Sequence, residues 1–223
     1  MSHLSDLNID AVAPRYAAPT TEGMYRRLFK RWIDTALIAL AAPFVLPLIL
    51  LLGFLVRRDG GPAFYVQDRV GLDGRVFRLW KLRTMVIDAD RLLAEHLAAD
   101  PALRAEWDEA QKLKSDPRIT GIGRLLRKTS LDELPQLWNV LKGDMSLVGP
   151  RPMLPEQRAL YPGRAYYAMR PGLTGPWQVS DRNETSFAGR AEFDADYARR
   201  MSLGTDFGIL LLTVWVVLRG TGY

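Results

Sequence analysis

Asp132 and Glu133 are adjacent carboxylates, and basic residues crowd the chain on both sides of them. Arg118, Arg124, Arg127 and Lys128 precede the pair; Arg151 and Arg170, each followed by proline, come after it. Further upstream a β-rich stretch ends in Lys81-Leu82-Arg83. Taken singly, each cation reads as solvated surface charge. The Asp-Glu pair alone reads as a capping box, with Ser130 as N-cap and Glu133 reaching back from N3. Taken together, with prolines and glycines fixing the backbone, Lys81, Arg83, Arg118, Arg124, Arg127, Arg151 and Arg170 suit a clamp for a diphosphate. Carboxylates among cations suit a hard divalent ion such as Mg²⁺, with Asp132 and Glu133 as its ligands. A carboxylate can also attack phosphorus and form an acyl phosphate.

Other chemistries fit less well. The 223 residues contain no Cys and only two His, His3 and His96. That excludes disulfides, thiolate metal sites and thiol catalysis, and argues against a serine-type triad. No Gly-x-x-x-x-Gly-Lys-[Ser/Thr] loop is present, and Gly121-Ile122-Gly123 is only a fragment of a dinucleotide fingerprint. Adjacent carboxylates are not the separated pair that glycosidases use across a sugar ring. A net charge of +5 and a pI near 9.6 call for an anionic partner: phosphorylated ligand, anionic lipid or nucleic acid.

The elements that must position these residues begin with an apolar block. Thr35–Val56 carries no charge and as a helix would be roughly 33 Å long, about the hydrocarbon thickness of a bilayer. Pro43 and Pro47 fall inside it, and arginines and lysines flank both ends, Arg26, Arg27, Lys30 and Arg31 before it and Arg57 and Arg58 after it. Prolines bend helices, and the positive-inside rule would keep both flanks in the cytoplasm. The expectation is a re-entrant, monotopic anchor broken at Pro43 and Pro47, entering and leaving by one membrane face. The chain then divides into a mobile leader over 1–23, the anchor over 24–58 and a catalytic domain over 59–223.

Within that domain, Ala63–Arg69 and Arg75–Leu82 with Gly-Leu-Asp-Gly between them read as a β-hairpin. Helices are expected over Ile87–Ala99, Ala102–Lys114 and from Ser130 to the stop at Gly143. Residues 143–190 are rich in Gly and Pro and read as loops and short turns shaping a site. A helix returns around Phe193–Arg200. Ile209–Leu218 is too short to cross a membrane and reads as a packed or interfacial helix, with Trp215 at headgroup level. The fold class is α+β, mostly α: a small β-hairpin, interfacial amphipathic helices and a re-entrant N-terminal helix.

Several long motifs then carry a resemblance. KTSLDELPQLWNVLKGDMSLVGPRP over 128–152 closely resembles the signature of the bacterial sugar transferases, the small monotopic polyprenyl-phosphate phosphoglycosyl transferases. FRLWKLRTM (77–85), DPRITGIGRLLRKTSLDEL (116–134) and RPGLTGPWQVSDRN (170–183) match in the same order, and the resemblance covers about residues 24–223. It implies transfer of a sugar 1-phosphate from a UDP-sugar to undecaprenyl phosphate, releasing UMP, at the cytoplasmic face of the bacterial inner membrane. It implies Asp132 as the nucleophile of a covalent phospho-sugar intermediate, with Glu133 assisting a Mg²⁺ site or activation of the lipid phosphate. Arg127 and Arg151 take phosphate-binding positions. Downstream glycosyltransferases that consume the product, and a homo-oligomer, are the other partners it suggests. The end of the chain looks most like exopolysaccharide-initiating members that transfer galactose 1-phosphate, ahead of glucose or another sugar.

One position departs from the family pattern: Ala42-Pro43 stands where Ser-Pro is frequent, with Pro47 four residues on. The multi-span extension of some relatives has no counterpart expected before Met24. Two readings compete. A non-catalytic membrane-surface adaptor explains the anchor and the charge but not the Asp-Glu pair among spaced Arg and Pro. Nucleic-acid binding would use the basic residues, but an apolar anchor suits it poorly.

Overall fold

The computed structural model describes residues 23–110, 113, 116–180 and 186–219. The leader expected over 1–23 therefore lies, except for Gly23, outside the described residues.

A π-turn at Tyr25–Phe29 leads into the long helix α1 (Lys30–Arg57), and a hairpin of β1 (Phe64–Val70) and β2 (Val76–Leu82) follows. Next come α2 (Ala89–Ala99), α3 (Pro101–Ala110), α4 (Gly121–Thr129) and α5 (Gln136–Lys142). The second half holds β3 (Ser146–Val148), β4 (Gly172–Thr174), the single turn α6 (Pro176–Val179), α7 (Arg190–Arg200) and α8 (Leu203–Leu218). The chain is mostly helical, with β1 and β2 antiparallel and β3 and β4 a short parallel pair.

The hairpin register pairs Tyr65 with Lys81, Gln67 with Leu79 and Arg69 with Phe77. Because side chains alternate along a strand, Tyr65, Gln67, Arg69 and Lys81 share one face. Asn139 of α5 is fully buried and holds this sheet from the side. Its amide donates to the Arg78 carbonyl at 2.7 Å, and its oxygen accepts from the Trp80 N–H at 3.1 Å. The main core gathers Ile38, Leu79, Val140, Met145, Tyr197 and Ile209 from six elements or their flanks. A second cluster packs Val70, Met153, Tyr161, Tyr166 and Ala191.

Helix α1 runs through Pro43 and Pro47 without losing its helical state. Its 28 residues would span about 42 Å. Both of its ends are built into the same domain. At the N-terminal end Lys30 pairs with Asp206 of α8, Asp34 accepts from Ser146 at 2.6 Å, Arg31 donates to the carbonyls of Val140 and Leu141, and Ile38 enters the core. At the C-terminal end Leu52 and Val56 pack with Leu82 and Leu126. Between these ends large apolar side chains stand exposed, Leu40 at 75%, Phe44 at 80% and Leu50 at 73%. Among the described residues this is the one helix long and apolar enough to cross a membrane.

Three local expectations are corrected. Ser130 does not cap a following helix. It sits in the left-handed region (φ 56°), closes the end of α4 through its own N–H, and makes no side-chain cap. Residues Leu131–Glu133 form a 3₁₀ turn, and α5 begins only after Pro135. The capping box fails because Glu133 points to Lys81 rather than back to the Ser130 backbone. The C-terminal helix is longer than Ile209–Leu218. It starts at Leu203, where the Ser202 hydroxyl accepts from the Thr205 N–H at 3.2 Å. The helix expected over Ala102–Lys114 is placed one residue earlier and described only to Ala110.

Candidate active site

A cavity of about 820 Å³ opens between the hairpin, the 131–133 turn, β4 and α8. Asp132 and Glu133 enter it from the 3₁₀ turn, Lys81 from β2, Arg127 from α4 and Arg151 from the Pro-Arg-Pro segment. The backbone explains the convergence. Thr84, just after β2, receives the start of α4: the Thr120 N–H donates to its carbonyl at 3.1 Å, and any side chain at Gly123 would overlap that carbonyl. Arg127, one turn further along α4, then donates its Nε–H to the Thr84 hydroxyl at 2.9 Å. The left-handed Ser130 turns the chain so that Asp132 and Glu133 face the strand carrying Lys81.

The two carboxylates differ in surroundings. Lys81 Nζ lies 2.8 Å from Glu133 Oε1 and 3.8 Å from Asp132 Oδ2. Arg151 reaches Glu133 at 3.7 Å. Burial pushes the Asp132 carboxyl above its ordinary value; Lys81 and Arg127 oppose the rise and the Glu133 charge adds to it. Burial acts in the same direction on Glu133, but Lys81 and Arg151, with Arg69 behind them, hold it down at about 2. Glu133 is thus a fixed anion inside a cationic ring, while Asp132 is the more basic carboxylate with fewer partners.

The other expected cations are distributed differently. Arg83 is buried and lines the cavity, but its donors go to Asp59 and to the carbonyls of Val56, Pro62 and Met85. It fastens the end of α1 to β2. Arg118 forms a buried pair with Asp116 at 2.7 Å and stacks on Trp107 at 5.2 Å. Arg124 is exposed on α4, and Arg170 is exposed and donates to the Gly143 carbonyl at 2.8 Å. Neither belongs to the cavity lining.

Residues not singled out from the sequence also stand here. Arg69 lines the cavity, held by Gln67 at 2.7 Å and by the Pro152 carbonyl at 3.3 Å, so it ties the Pro-Arg-Pro segment to β1. Strand alternation was a signal for it, since it shares a sheet face with Lys81. Thr84 and Gln178 fall inside the quoted motifs 77–85 and 170–183, but nothing in their residue types marked them as cavity residues. With Arg69 counted, the cations outnumber the carboxylates, and the surplus positive charge suits an anionic ligand.

Among the described residues no group of three or more carboxylates or imidazoles could hold a metal by itself. Mg²⁺ does not need such a cage, because it is commonly bound by one or two carboxylates together with substrate phosphates. Asp132 and Glu133 fit that arrangement, Asp132 with more free oxygen capacity than Glu133.

The bacterial sugar transferase model matches residues 25–220, and the chain belongs to that family. It is 49% identical over 198 residues to the undecaprenyl-phosphate galactose phosphotransferase of Salmonella typhimurium, covering 88% of this chain and 42% of that protein. It is 44% identical over 196 residues to the exopolysaccharide production protein ExoY of Sinorhizobium fredii, covering 86% and 87%. It is 35% identical over 226 residues to the UDP-glucose:undecaprenyl-phosphate glucose-1-phosphate transferase of Escherichia coli, covering 96% and 45%. The chain therefore spans less than half the length of the first and third of these and most of the second.

Proposed function

We propose that this protein transfers a sugar 1-phosphate from a UDP-sugar to undecaprenyl phosphate, starting the assembly of a polysaccharide on a membrane lipid. The observation that carries the reading is the unequal carboxylate pair. Asp132 is buried and made more basic, next to a Glu133 kept ionised by Lys81 and Arg151, in a cavity ringed by cations. Greater basicity strengthens a carboxylate nucleophile, and a ring of fixed cations favours a phosphoryl group gaining charge as it transfers.

In the first half-reaction an Asp132 oxygen attacks the sugar-bearing phosphorus of the UDP-sugar, and the bond from that phosphorus to the UMP oxygen breaks. UMP leaves with the electron pair, and the sugar phosphate remains on Asp132. In the second half-reaction an oxygen of undecaprenyl phosphate attacks the same phosphorus. The Asp132–phosphorus bond breaks, restoring the carboxylate. The two phosphate substrates then use one cationic pocket in turn, which suits a single ring of Lys81, Arg69, Arg127 and Arg151. Bound Mg²⁺ would supply further neutralisation of the phosphates from Asp132 and Glu133. Glu133, held at about 2, is too weak a base to take a proton near neutral pH. Its charge positions Lys81 and Arg151, and it would share a bound Mg²⁺ with Asp132.

The membrane reading rests on α1. Two ends docked on one domain, with an exposed apolar middle, suit a helix that dips into one leaflet and returns. The exposed Leu211, Val214, Trp215 and Leu218 of α8, with Arg219 stacked on Trp215 at 4.3 Å, suit an interfacial helix on the same surface. The location that follows is the cytoplasmic face of the inner membrane. Galactose is the favoured sugar, because the galactose phosphotransferase of Salmonella typhimurium is 49% identical to this chain, against 35% for the glucose-1-phosphate transferase of Escherichia coli.

The test is UMP release from UDP-galactose and UDP-glucose with undecaprenyl phosphate in detergent, with and without Mg²⁺. Asp132→Asn is expected to abolish turnover and to leave no phospho-sugar on the protein by mass spectrometry. A variant with near-normal turnover would defeat the assignment of Asp132 as nucleophile.

A further inference from the structure

Among the described residues, α8 is the one helix that both walls the cavity and carries a row of large exposed apolar side chains. Leu210, Thr213, Val216 and Val217 line the cavity, while Leu211, Trp215 and Leu218 stand exposed. The helical period makes the division: 210, 213 and 217 fall on one face, and 211, 215 and 218 on the opposite one. A helix with its side chains is about 10–12 Å across, so the thickness of one helix separates the cavity from the surface proposed above to meet lipid. Helix α1 is the longer apolar helix, yet none of its residues lines the cavity.

The cavity face of α8 offers no side-chain donor. Thr213 donates its hydroxyl to the Ile209 carbonyl at 2.7 Å. Its 2.7 Å contact with Thr174 therefore has the Thr174 hydroxyl as donor, and both hydroxyl protons are spent within the protein. Leu210, Val216 and Val217 are aliphatic and half-buried, and Leu147, Leu173 and Val179 continue the aliphatic lining from β3, β4 and α6. The same cavity holds Lys81, Arg69, Arg127 and Arg151. It therefore joins a ring of cations to an aliphatic wall.

The parts of the two substrates differ in what they require of a wall. Phosphates require donors, and those are the cations. Hexose hydroxyls and the polar edge of uracil also require hydrogen-bonding partners, which the lining from β1 and α2 supplies with the Tyr65 phenol and the Asp90 carboxylate. A polyprenyl chain requires only apolar surface taken from water, and a path to the site that leaves the rest of the chain in lipid. We propose that the inner face of α8 is the acceptor wall. The isoprene units next to the phosphate of undecaprenyl phosphate lie along Leu210, Val216 and Val217, with the phosphate itself at the cations. The proposal rests on the transfer reaction proposed above and gives its second substrate a place in the cavity. The UDP-sugar makes no use of this wall, so α8 serves the second half-reaction alone.

The experiment compares the full-length chain in detergent with Val217→Asn, which puts an amide on the wall, and with the double variant Val216→Ala/Val217→Ala, which removes aliphatic surface while favouring helix. The first half-reaction is read as UMP released from the UDP-sugar in a single turnover without acceptor. The second is read as kcat/KM for undecaprenyl phosphate and for the short-chain geranyl phosphate. Val217→Asn is expected to lower kcat/KM for undecaprenyl phosphate about fivefold or more, with acceptor-free UMP release within about twofold of the parent. The double variant should lose about threefold or more in the same parameter. The parent's preference for undecaprenyl over geranyl phosphate should shrink in both variants, because the wall that reads the chain is impaired. Unaltered acceptor kinetics, or a loss that falls first on acceptor-free UMP release, overturns the proposal. An acceptor defect produced by Ile87→Asn and by neither α8 variant would move the chain to the α2 side of the cavity and overturn it as well. If Val217→Asn does not fold, the double variant decides by the same criteria. No UMP release by the parent from any UDP-sugar would instead defeat the transfer reading itself.

Discussion

A single ammonium spans both carboxylates of the site: Lys81 Nζ lies 2.8 Å from Glu133 and 3.8 Å from Asp132. Lys81 arrives by strand pairing and the carboxylates by a left-handed turn at Ser130, so two independent backbone features meet in this contact. Lys81→Met leaves the two anions facing each other with no shared cation. It is expected to cut UMP release about a hundredfold or more, a scale typical of losing one preorganised electrostatic partner. Retention of most activity would show that the phosphates are neutralised elsewhere.

The seven basic residues expected from the sequence should separate kinetically. Arg151→Ala is expected to raise the KM for the UDP-sugar and lower kcat, because Arg151 lines the cavity beside Glu133. Arg124→Ala and Arg170→Ala should leave kcat/KM within about twofold, as surface changes away from the site. Side-by-side kinetics of the three variants check the division.

Arg83 should behave as a fastener. Arg83→Met strands the carbonyls of Val56, Pro62 and Met85 and the Asp59 carboxylate. A loss of about 2 kcal/mol or more is expected, seen as a lower Tm in detergent, with the KM for the UDP-sugar unchanged in the folded fraction. A changed KM with an unchanged Tm would return Arg83 to the phosphates.

Asp194 supplies a pH dependence separate from catalysis. Buried on α7, with the Tyr161 hydroxyl donating to it at 2.7 Å and the Arg190 charge acting on it, its carboxyl is pushed up to about 7 by burial, against the pull of both. The folded protein then keeps a proton that the unfolded chain has released, so stability should fall as pH rises from about 4 to about 7. Asp194→Asn should shrink the difference in Tm between pH 5 and pH 8; an unaltered difference would show that other groups set it.

Gly172 packs directly on the Gly149 backbone, and a methyl there would overlap it. Gly172→Ala is expected to part β3 from β4, displace the Arg151 segment and yield little folded protein, judged by size exclusion in detergent. A well-folded, active variant would mean that the parallel pair shifts without disturbing Arg151.

The residues legible in the sequence were those whose signals are local. Asp132, Glu133 and Lys81 stood out by type and spacing, and alternation marked the hairpin. The β3–β4 pair escaped because three-residue strands inside a Gly/Pro-rich stretch carry no period. The cations divide for a different reason. Nothing in a linear spacing says whether an arginine meets a ligand, as Arg151 can, or spends its donors on its own backbone, as Arg83 does. Gln178 fell inside the 170–183 motif, but nothing in a linear sequence says that α6 would bring it to the cavity wall.

Helix α1 contributes Ile38 to the main core and covers Leu82 and Leu126 with Leu52 and Val56, while Arg83 binds its last turn to the strand that holds Lys81. Helix α1 is therefore not a tether from which the rest of the fold hangs. It is one wall of that fold. On the function proposed above, a fragment cut at residue 59 would lose its footing in the bilayer and its own interior in the same stroke, and the depth at which the helix settled in lipid would set the height at which Asp132 met its substrates.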